Sequence, residues 1–450
     1  MSEALLRDVA SLAIRLAAER GATDAECTIA EGDEFSATVR LGEVETLKEA
    51  GSRAAGLRVL LGQRQGSSYT SDLTDEGISQ MVDAAIAIAH VTEEDPFAGL
   101  PDREELGQLT TDLKLAEADV VTVEAAARID AAKRAEATAL AADPRITNSE
   151  GAGCETYSGC RVFANSRGFL GSYSSTTASL SATPVARQGE EMERDYWHSI
   201  SRSWAGLESP EEVGRKAAHR ALRRLGARKI ETCKATVVFE PRVAKSLLGH
   251  IFEAVSGESI YRKSSFLLDK LNEQIAAETV TVIDDATIPG YFGTSPFDDE
   301  GVPSRRTVVI EKGVLKSYLF NTYAARKLDV KTTGNGARGL TGAAGIGHGT
   351  LYLEAGRQTP DEIFAAIGTG LYITELIGFG VNTVTGDYSR GAAGLWIEDG
   401  KLSYPVAEIT VAGHLADMLK NIIHIGDDLE FRGSTCAPTI AISNITISGK

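Results

Sequence analysis

The chain has 450 residues, of which 43% are apolar, and it carries a formal net charge of −17. This length predicts two or three domains with ordinary hydrophobic cores. The negative charge repels phosphate backbones and therefore argues against nucleic-acid binding.

Residues 1–116 are predicted to form an α+β subdomain that ends in a connector. Apolar residues at helical spacing indicate a first helix, which ends at Gly21. Four short strands follow, at 26–30, 35–41, 56–61 and 67–70. We expect a turn around 31–33 between the first two of them. Thr74 is placed to cap the next helix, and the polar, proline-containing residues 93–116 form the connector.

Residues 117–232 are predicted to form a middle α+β subdomain. Residues 123–142 are rich in alanine and strongly helical, whereas residues 146–182 have the Gly, Ser and Thr content of two or three antiparallel strands. Ser209 then begins another helix, because it is a good N-cap residue and is followed by Pro210 and two glutamates. The order of helix and sheet thus occurs twice along the chain.

The C-terminal half of that last helix is strongly basic, with Arg215, Lys216, Arg220, Arg223 and Arg224. Cations are favoured at a helix C-terminus, where they face the partial negative charge of the free carbonyl groups. A nucleic-acid patch is the alternative interpretation. We favour a solvated basic face.

Residues 233–450 are predicted to form a β-rich C-terminal domain. Residues 236–239 are typical of a buried strand, and Pro241 opens a helix over 242–256 with apolar residues on its inward side. From Val280 onward the pattern is mostly of short strands. The expected fold class is therefore α+β, with N-terminal helix-and-antiparallel-sheet subdomains followed by an antiparallel β-rich C-terminal domain.

The stretch from Pro289 to Gly336 contains an acidic cluster, formed by Asp298, Asp299 and Glu300 and followed by a glycine. Such oxygen ligands suit a hard cation, but consecutive residues on an extended chain point to alternate sides and no EF-hand pattern follows. We favour a turn in which these carboxylates accept hydrogen bonds from backbone N–H groups. A metal site at the cluster is the alternative.

Several motifs in and around this stretch carry a family resemblance. The sequences SPFDDEGVP, VIEKGVLKSYL, NTYAARKL and TTGN resemble the TldD/TldE family, and specifically its TldE (PmbA) branch. Matching order and spacing extend from near Arg53 to Lys450. The resemblance implies membership in a bacterial cytosolic zinc-protease pair that degrades unfolded peptides, in which TldD-like members carry the metal and TldE-like members are their partners.

A zinc peptidase needs two neutral imidazoles, a carboxylate that takes a proton from the zinc-bound water, and a third ligand. In the catalytic branch of the family, a His-Glu-x-x-x-His motif lies on the helix that follows the strand at 236–239. Alignment on the sequence YRKS at 261–264 places Gly249 at the first His, His250 at the Glu and Ala254 at the second His. The resemblance therefore implies that the zinc-binding triad is lost in this chain.

Two remnants of a metal site are left. His250 and Glu253 are i, i+3 neighbours that could form a hydrogen bond. Cys436 falls near the cysteine ligand of the catalytic branch, although alone it is more typical of a small buried hydrophobe. We predict no catalytic, cofactor-binding or metal-binding residue in this chain, and zinc is expected in a TldD-like partner.

The resemblance also implies an assembly, either with a TldD-like catalytic subunit or with a second copy of this chain. Such a dimer would enclose a cavity in which an unfolded peptide is held as an added strand. Two alternatives stay open. One is an independent peptidase with a divergent metal site drawn from His250, Cys436 or residues 298–300, and the other is a peptide-binding homodimer without catalysis.

The cysteines and the apolar runs indicate the compartment. The five cysteines are odd in number, scattered and without a C-x-x-C pair, which fits a reducing environment. No signal-peptide apolar region precedes the first helix, and no apolar run reaches the length of a membrane span. We therefore expect a soluble, cytoplasmic protein without a membrane partner.

Overall fold

The computed structural model describes residues 1–450, and its N-terminal half is built on one seven-stranded antiparallel sheet. The strands are β1 (Asp24–Arg40), β2 (Glu43–Leu61), β3 (Arg64–Thr70), β4 (Ile146–Asn165), β5 (Leu170–Gln188), β6 (Glu191–Arg194) and β7 (Trp197–Ser201). They lie in the order β3-β2-β1-β4-β5, and β5 then pairs with both β6 and β7. Strands from the first 116 residues and from 117–232 thus share a single sheet.

The first strand differs from its prediction in one respect. The turn expected around 31–33 does not exist, because β1 runs through it without a break. Gly32 pairs with Ser52 on β2 and with Gly159 on β4, and an added Cβ there would lie 2.7 Å from a ring carbon of Tyr157. Close packing inside the sheet therefore requires this glycine, and no turn is involved.

Five helices pack on this sheet: α1 (Glu3–Glu19), α2 (Asp75–Val91), α3 (Ala118–Thr122), α4 (Ala125–Ala141) and α5 (Pro210–Leu222). Two predicted N-caps are confirmed, because the hydroxyl groups of Thr74 and Ser209 accept hydrogen bonds from backbone N–H groups in the first turns of α2 and α5. α1 and α2 bury apolar side chains against β1 and β2. α4 and α5 approach closely, since an added Cβ on Gly214 would lie 2.2 Å from the carbonyl oxygen of Ala135.

The C-terminal half contains two larger sheets and a two-stranded ribbon. The six-stranded sheet consists of β8 (Cys233–Phe239), β15 (Gly370–Ile377), β16 (Asp387–Glu398), β17 (Lys401–His414), β18 (Ile422–Ile425) and β20 (Ile440–Ser448), in the order β17-β16-β15-β8-β20-β18. The five-stranded sheet consists of β9 (Val282–Asp285), β10 (Arg306–Glu311), β11 (Val314–Leu315), β14 (Thr350–Leu353) and β19 (Thr435–Cys436), in the order β11-β10-β9-β14-β19. The ribbon joins β12 (Gly336–Ala337) to β13 (Gly345–Ile346).

The predicted β-rich, mostly antiparallel character of this half is confirmed, with two exceptions. β8 lies parallel to β15, and β14 lies parallel to β19. The partners in each pair are far apart in sequence, so local alternation of residues carries no signal for these pairings. One core of 42 buried residues joins both sheets, and Val237, Leu248, Val282 and Ile373 belong to it.

Five further helices complete the fold: α6 (Pro241–Val255), α7 (Gly257–Tyr261), α8 (Thr322–Leu328), α9 (Pro360–Ile367) and α10 (Leu415–Lys420). α6 is the helix that was predicted over 242–256. α8 is capped by Asn321, whose side chain accepts a hydrogen bond from the Ala324 N–H. None of the ten helices combines the length and the apolar character that a membrane crossing requires.

Candidate functional site

α6 forms where a buried strand gives way to helical periodicity. β8 ends at the fully buried Phe239, Glu240 is the N-cap residue, and Pro241 occupies the first helical position, where a missing N–H is tolerated. One side of the helix packs into the core. The opposite side lines a cleft of about 760 Å³ with residues three or four positions apart, namely Arg242, Lys245, Ser246 and Gly249.

The other walls of this cleft come from distant parts of the chain. They include residues 194–196 at the end of β6 and just after it, residues 374–376 on β15, Arg390 on β16, and residues 432–435 before and within β19. Only the folded topology brings these segments together. The cleft is therefore the place where α6, which carries the positions aligned with the zinc motif, meets the segment that leads to Cys436.

The structure separates the three positions that align with the zinc motif. Gly249 faces the cleft, and an added Cβ there would meet nothing within 4 Å. Ala254 is fully buried in the core, so a histidine at this position would have to displace its neighbours. The His250 ring lies edge-on to Tyr388, with 6.2 Å between the ring centroids.

His250 does not form the hydrogen bond with Glu253 that their i, i+3 spacing allows. Its Nε2 atom is buried without a hydrogen-bond partner, and Glu253 is exposed. Burial, and secondly the charge of Arg390, lower the pKa of the imidazole, so its neutral form is favoured. The hydrogen bond to Glu253 is absent.

Cys436 lies behind the loop that borders the cleft. Its side chain is buried, and its Sγ donates a hydrogen bond to the carbonyl oxygen of Gly433 at 3.3 Å. Burial raises the pKa of this thiol to about 11, which disfavours the thiolate that binds zinc. The donor set at these positions thus consists of a glycine, an alanine, a histidine turned toward Tyr388 and a neutral thiol, and it does not fit zinc. Nowhere in the chain do three His, Cys, Asp or Glu side chains gather in an arrangement suited to a metal.

The prediction of a solvated basic face on α5 is wrong for three of its five cations. Arg220 is buried and donates two hydrogen bonds to Glu240, at 2.7 and 2.9 Å, and it lies 3.2 Å from Asp195. Arg223 also pairs with Glu240, at 3.0 Å, and Arg224 pairs with Glu375, at 2.6 Å. The cations on α5 and in the turn after it therefore join the N-terminal half to the N-cap residue of α6 and to β15.

Electrostatics shows how strongly Glu240 depends on this pairing. Burial alone would raise the pKa of its carboxyl group, but the hydrogen bonds and positive charges of Arg220 and Arg223 together lower the pKa instead. The ion pair thereby holds the N-cap of α6 in place. It also holds Arg220 beside the cleft, where Asp195 forms part of the wall.

The acidic turn at 298–300 has the structure that was favoured for it. The Asp298 carboxylate accepts hydrogen bonds from three backbone N–H groups, those of Glu300, Val302 and Gly336, at 2.8 to 2.9 Å. The Glu300 carboxylate accepts two from Thr322, at 2.8 Å each. Burial raises the pKa of both acids. Both oxygens of Asp298 and the Oε2 atom of Glu300 thus accept hydrogen bonds from the chain itself.

The sequence reasoning missed the cations of the cleft. Arg242 and Lys245 share one face of α6 with Gly249, and this spacing could have been recognised in the sequence. Arg390 and Arg432 reach the cleft from other elements, and no local pattern indicates them. The sequence motifs at this site concern metal ligands, whereas the folded cleft presents positive charge.

Three protein-family models match the chain. PmbA/TldA metallopeptidase domain 1 matches residues 25–89, the central domain matches 119–225, and the C-terminal domain matches 232–449. The chain is 40% identical to metalloprotease PmbA of Escherichia coli O157:H7, over 99% of this chain and 96% of the relative. It is 38% identical to a metalloprotease PmbA homolog of Haemophilus influenzae, with the same two coverages. A metalloprotease TldD homolog of Buchnera aphidicola is 28% identical over 45% of this chain and 44% of the relative.

Solved structures share the fold over nearly the whole length. A candidate modulator of DNA gyrase from Bacteroides thetaiotaomicron superposes with a TM-score of 0.92 and 29% identity, covering 98% of both chains. TldE from Thermococcus kodakarensis superposes with a TM-score of 0.88, covering 98% of this chain and 100% of that chain. Its identity is 20%, so this second likeness concerns the fold alone.

Proposed function

The chain belongs to the PmbA/TldA metallopeptidase family, and from this premise we propose that it is a non-catalytic, TldE-type subunit of a metalloprotease. It acts with a TldD-like subunit that supplies zinc, and together they degrade unfolded peptides in the cytoplasm. Similarity to PmbA metalloproteases over 99% of the chain supports the family activity. The TldD homolog among its relatives supports a partner from the same family.

The observation that carries this proposal is the donor set beside the cleft. Gly249 and Ala254 have no metal-binding side chain, His250 packs against Tyr388, and burial keeps the Cys436 thiol protonated. A group that activates water for attack on a peptide bond needs a strong electrophile or a well-placed base, and none of these four residues supplies one. The chain is therefore expected to contribute shape and binding, while chemistry takes place on the partner.

An unpaired strand edge supports the binding role. Residues 43–54 of β2 pair with β1 on one side, and β3 pairs with β2 only from Ala55 onward. The side chains of this segment are nearly all exposed. A peptide that adds there as a strand would be held by backbone hydrogen bonds, whatever its side chains, which suits an enzyme for unfolded substrates.

Zinc analysis and light scattering test the proposal together. We expect the purified chain to hold no stoichiometric zinc, and we expect it to form a defined complex with a TldD-like protein from the same genome. Tightly bound zinc that is lost on His250→Ala or Cys436→Ala would instead establish an independent peptidase with its own metal site. A stable homodimer that binds peptide and forms no complex with the TldD-like protein would establish the non-catalytic homodimer.

A further inference from the structure

The cleft beside α6 concentrates positive charge in a chain that is strongly acidic as a whole. Six cations line it against two carboxylates, although the chain carries a net charge of −17. The cations are Arg194, Arg224, Arg242, Lys245, Arg390 and Arg432, and the carboxylates are Asp195 and Glu375. This local excess of positive charge runs against the net charge of the molecule and favours an anionic ligand.

Most of these cations are neutralised within the chain. Arg194 pairs with Glu150, Arg224 with Glu193 and Glu375, and Arg432 with Glu208 and Glu430. Arg242 is only loosely paired, because its guanidinium lies 3.9 Å from Asp195 and 4.1 Å from the centre of the Tyr196 ring. These contacts balance most of the positive charge of the four arginines.

Two cations have no carboxylate partner. Lys245 and Arg390 form no ion pair, and the Nε atom of Arg390 is buried without a hydrogen-bond partner. A single unpaired lysine on a surface is ordinary, but this one converges with Arg390 from another element on the same cavity. Lys245 is exposed and Arg390 is half-buried, and no carboxylate of the chain balances either charge, so both cations are available to an anion that the chain itself does not supply.

We propose that this cleft binds a carboxylate of a peptide. The inference rests on the proposed function, from which the peptide character of the ligand follows. The volume of about 760 Å³ lies within the roughly 300–1,000 Å³ that is typical of ligand sites. Arginine and lysine together suit a carboxylate, which arginine can bind through two parallel hydrogen bonds. Every peptide carries such a group at its C-terminus, so recognition there does not depend on sequence.

Binding of labelled peptides to the full-length chain tests this proposal. One unfolded sequence is prepared as the free acid and as the C-terminal amide, each with an internal Asp or an internal Asn, and fluorescence anisotropy is measured at low and at physiological ionic strength. We expect the free acid to bind about tenfold more tightly than the amide, as loss of one charge-assisted hydrogen bond predicts. If the internal Asp governs affinity instead, the carboxylate is that of a side chain. Equal binding by all four peptides would overturn the proposal.

Charge reversal in the cleft provides matched variants. Lys245→Glu should weaken binding of the free acid by about tenfold or more, whereas Lys401→Glu, at the exposed start of β17, should leave it unchanged. Gly249→Glu should weaken binding more than Gly249→Gln, because both side chains enter the same open space and only one is charged. Displacement of peptide by inorganic phosphate, without any preference for the free acid, would contradict the carboxylate assignment.

The same variants separate this inference from the proposed function. If Lys245→Glu breaks the complex with a TldD-like protein and leaves peptide binding intact, the cleft is a subunit contact and the inference is wrong. If the peptides show no preference for a carboxylate, either at the C-terminus or at the internal Asp, while the mixture of subunits still cleaves peptide, the inference alone fails. If the preference is present and no mixture cleaves, the proposed function alone fails.

Discussion

Two clusters of charge in this protein differ in whether the chain itself provides partners for them. The acidic turn at 298–300 is closed, because three backbone N–H groups donate to the Asp298 carboxylate and Thr322 donates twice to Oε2 of Glu300. The cleft beside α6 is open, because Lys245 and Arg390 lack a carboxylate partner. The comparison teaches that residue type does not identify a binding site. Such a site is recognised by whether its polar groups are already satisfied within the chain.

The largest expected effect concerns the buried ion pair between Arg220 and Glu240, whose charges are balanced within the chain. Arg220→Ala should lower the free energy of unfolding by about 4 kcal/mol, because it leaves Glu240 buried without its main partner. Arg215→Ala on the same helix removes an exposed cation and should cost no more than about 0.5 kcal/mol. Urea denaturation followed by fluorescence measures both. Equal costs would show that the face of α5 is solvated after all.

The acidic turn should be nearly as sensitive. Asp298→Ala removes the acceptor of three buried N–H groups and should lower the free energy of unfolding by about 3 kcal/mol. Lys245→Ala, in the open cleft, should change it by no more than about 0.5 kcal/mol. The same denaturation experiment compares them. A small effect of Asp298→Ala would mean that the turn is not held by its carboxylate.

The pH dependence of stability provides a second test of the acidic turn at 298–300. Burial raises the pKa of Asp298 to about 7 and that of Glu300 to about 8, so the folded protein holds protons that the unfolded chain has released. These acids therefore stabilise the fold fully below about pH 4, and their contribution falls as the pH rises toward 8. The slope cannot exceed about 1.4 kcal/mol per pH unit for each proton.

Glu300→Gln is the matched control for that titration, because glutamine resembles the protonated acid at every pH. The stability of the unmodified chain relative to this variant should decline between about pH 5 and pH 8, as measured by urea denaturation at several pH values. A difference that stays constant over this range would show that Glu300 is ionised throughout.

The smallest expected effect belongs to the open cleft. Gly249→Ala should raise the free energy of unfolding by about 0.5–1 kcal/mol, because alanine favours the helix and its Cβ would meet nothing within 4 Å. Gly214→Ala, where α5 meets α4, should destabilise the protein, because a Cβ there would lie 2.2 Å from a carbonyl oxygen. Thermal unfolding distinguishes the two. Destabilisation by Gly249→Ala would contradict the open space at this position.

Much of the helical structure could be predicted from sequence, since it depends on neighbouring residues. Thr74 and Ser209 cap two predicted helices, and Pro241 opens the helix at the site. The prediction of a turn at 31–33 is wrong, because Gly32 is required for close packing inside the sheet. Local patterns do not distinguish a glycine in a turn from a glycine packed inside a sheet.

The candidate site could be predicted only in part. Its centre on α6 was located through Gly249, His250 and Ala254, which are neighbours in sequence. The charge of the cleft was missed because it depends on Arg390 and Arg432, which reach α6 only through β16 and the segment before β19. The burial of Arg220 was missed for the same reason, since its partners lie on other elements.

Peptide cleavage by purified subunits tests the central claim most directly. The chain alone should not cleave an unfolded peptide, whereas the chain mixed with a TldD-like protein should cleave it, and a chelator should stop the reaction. The claim would be contradicted by chelator-resistant cleavage by the highly purified chain on its own, if that activity is lost when a residue of this chain is changed.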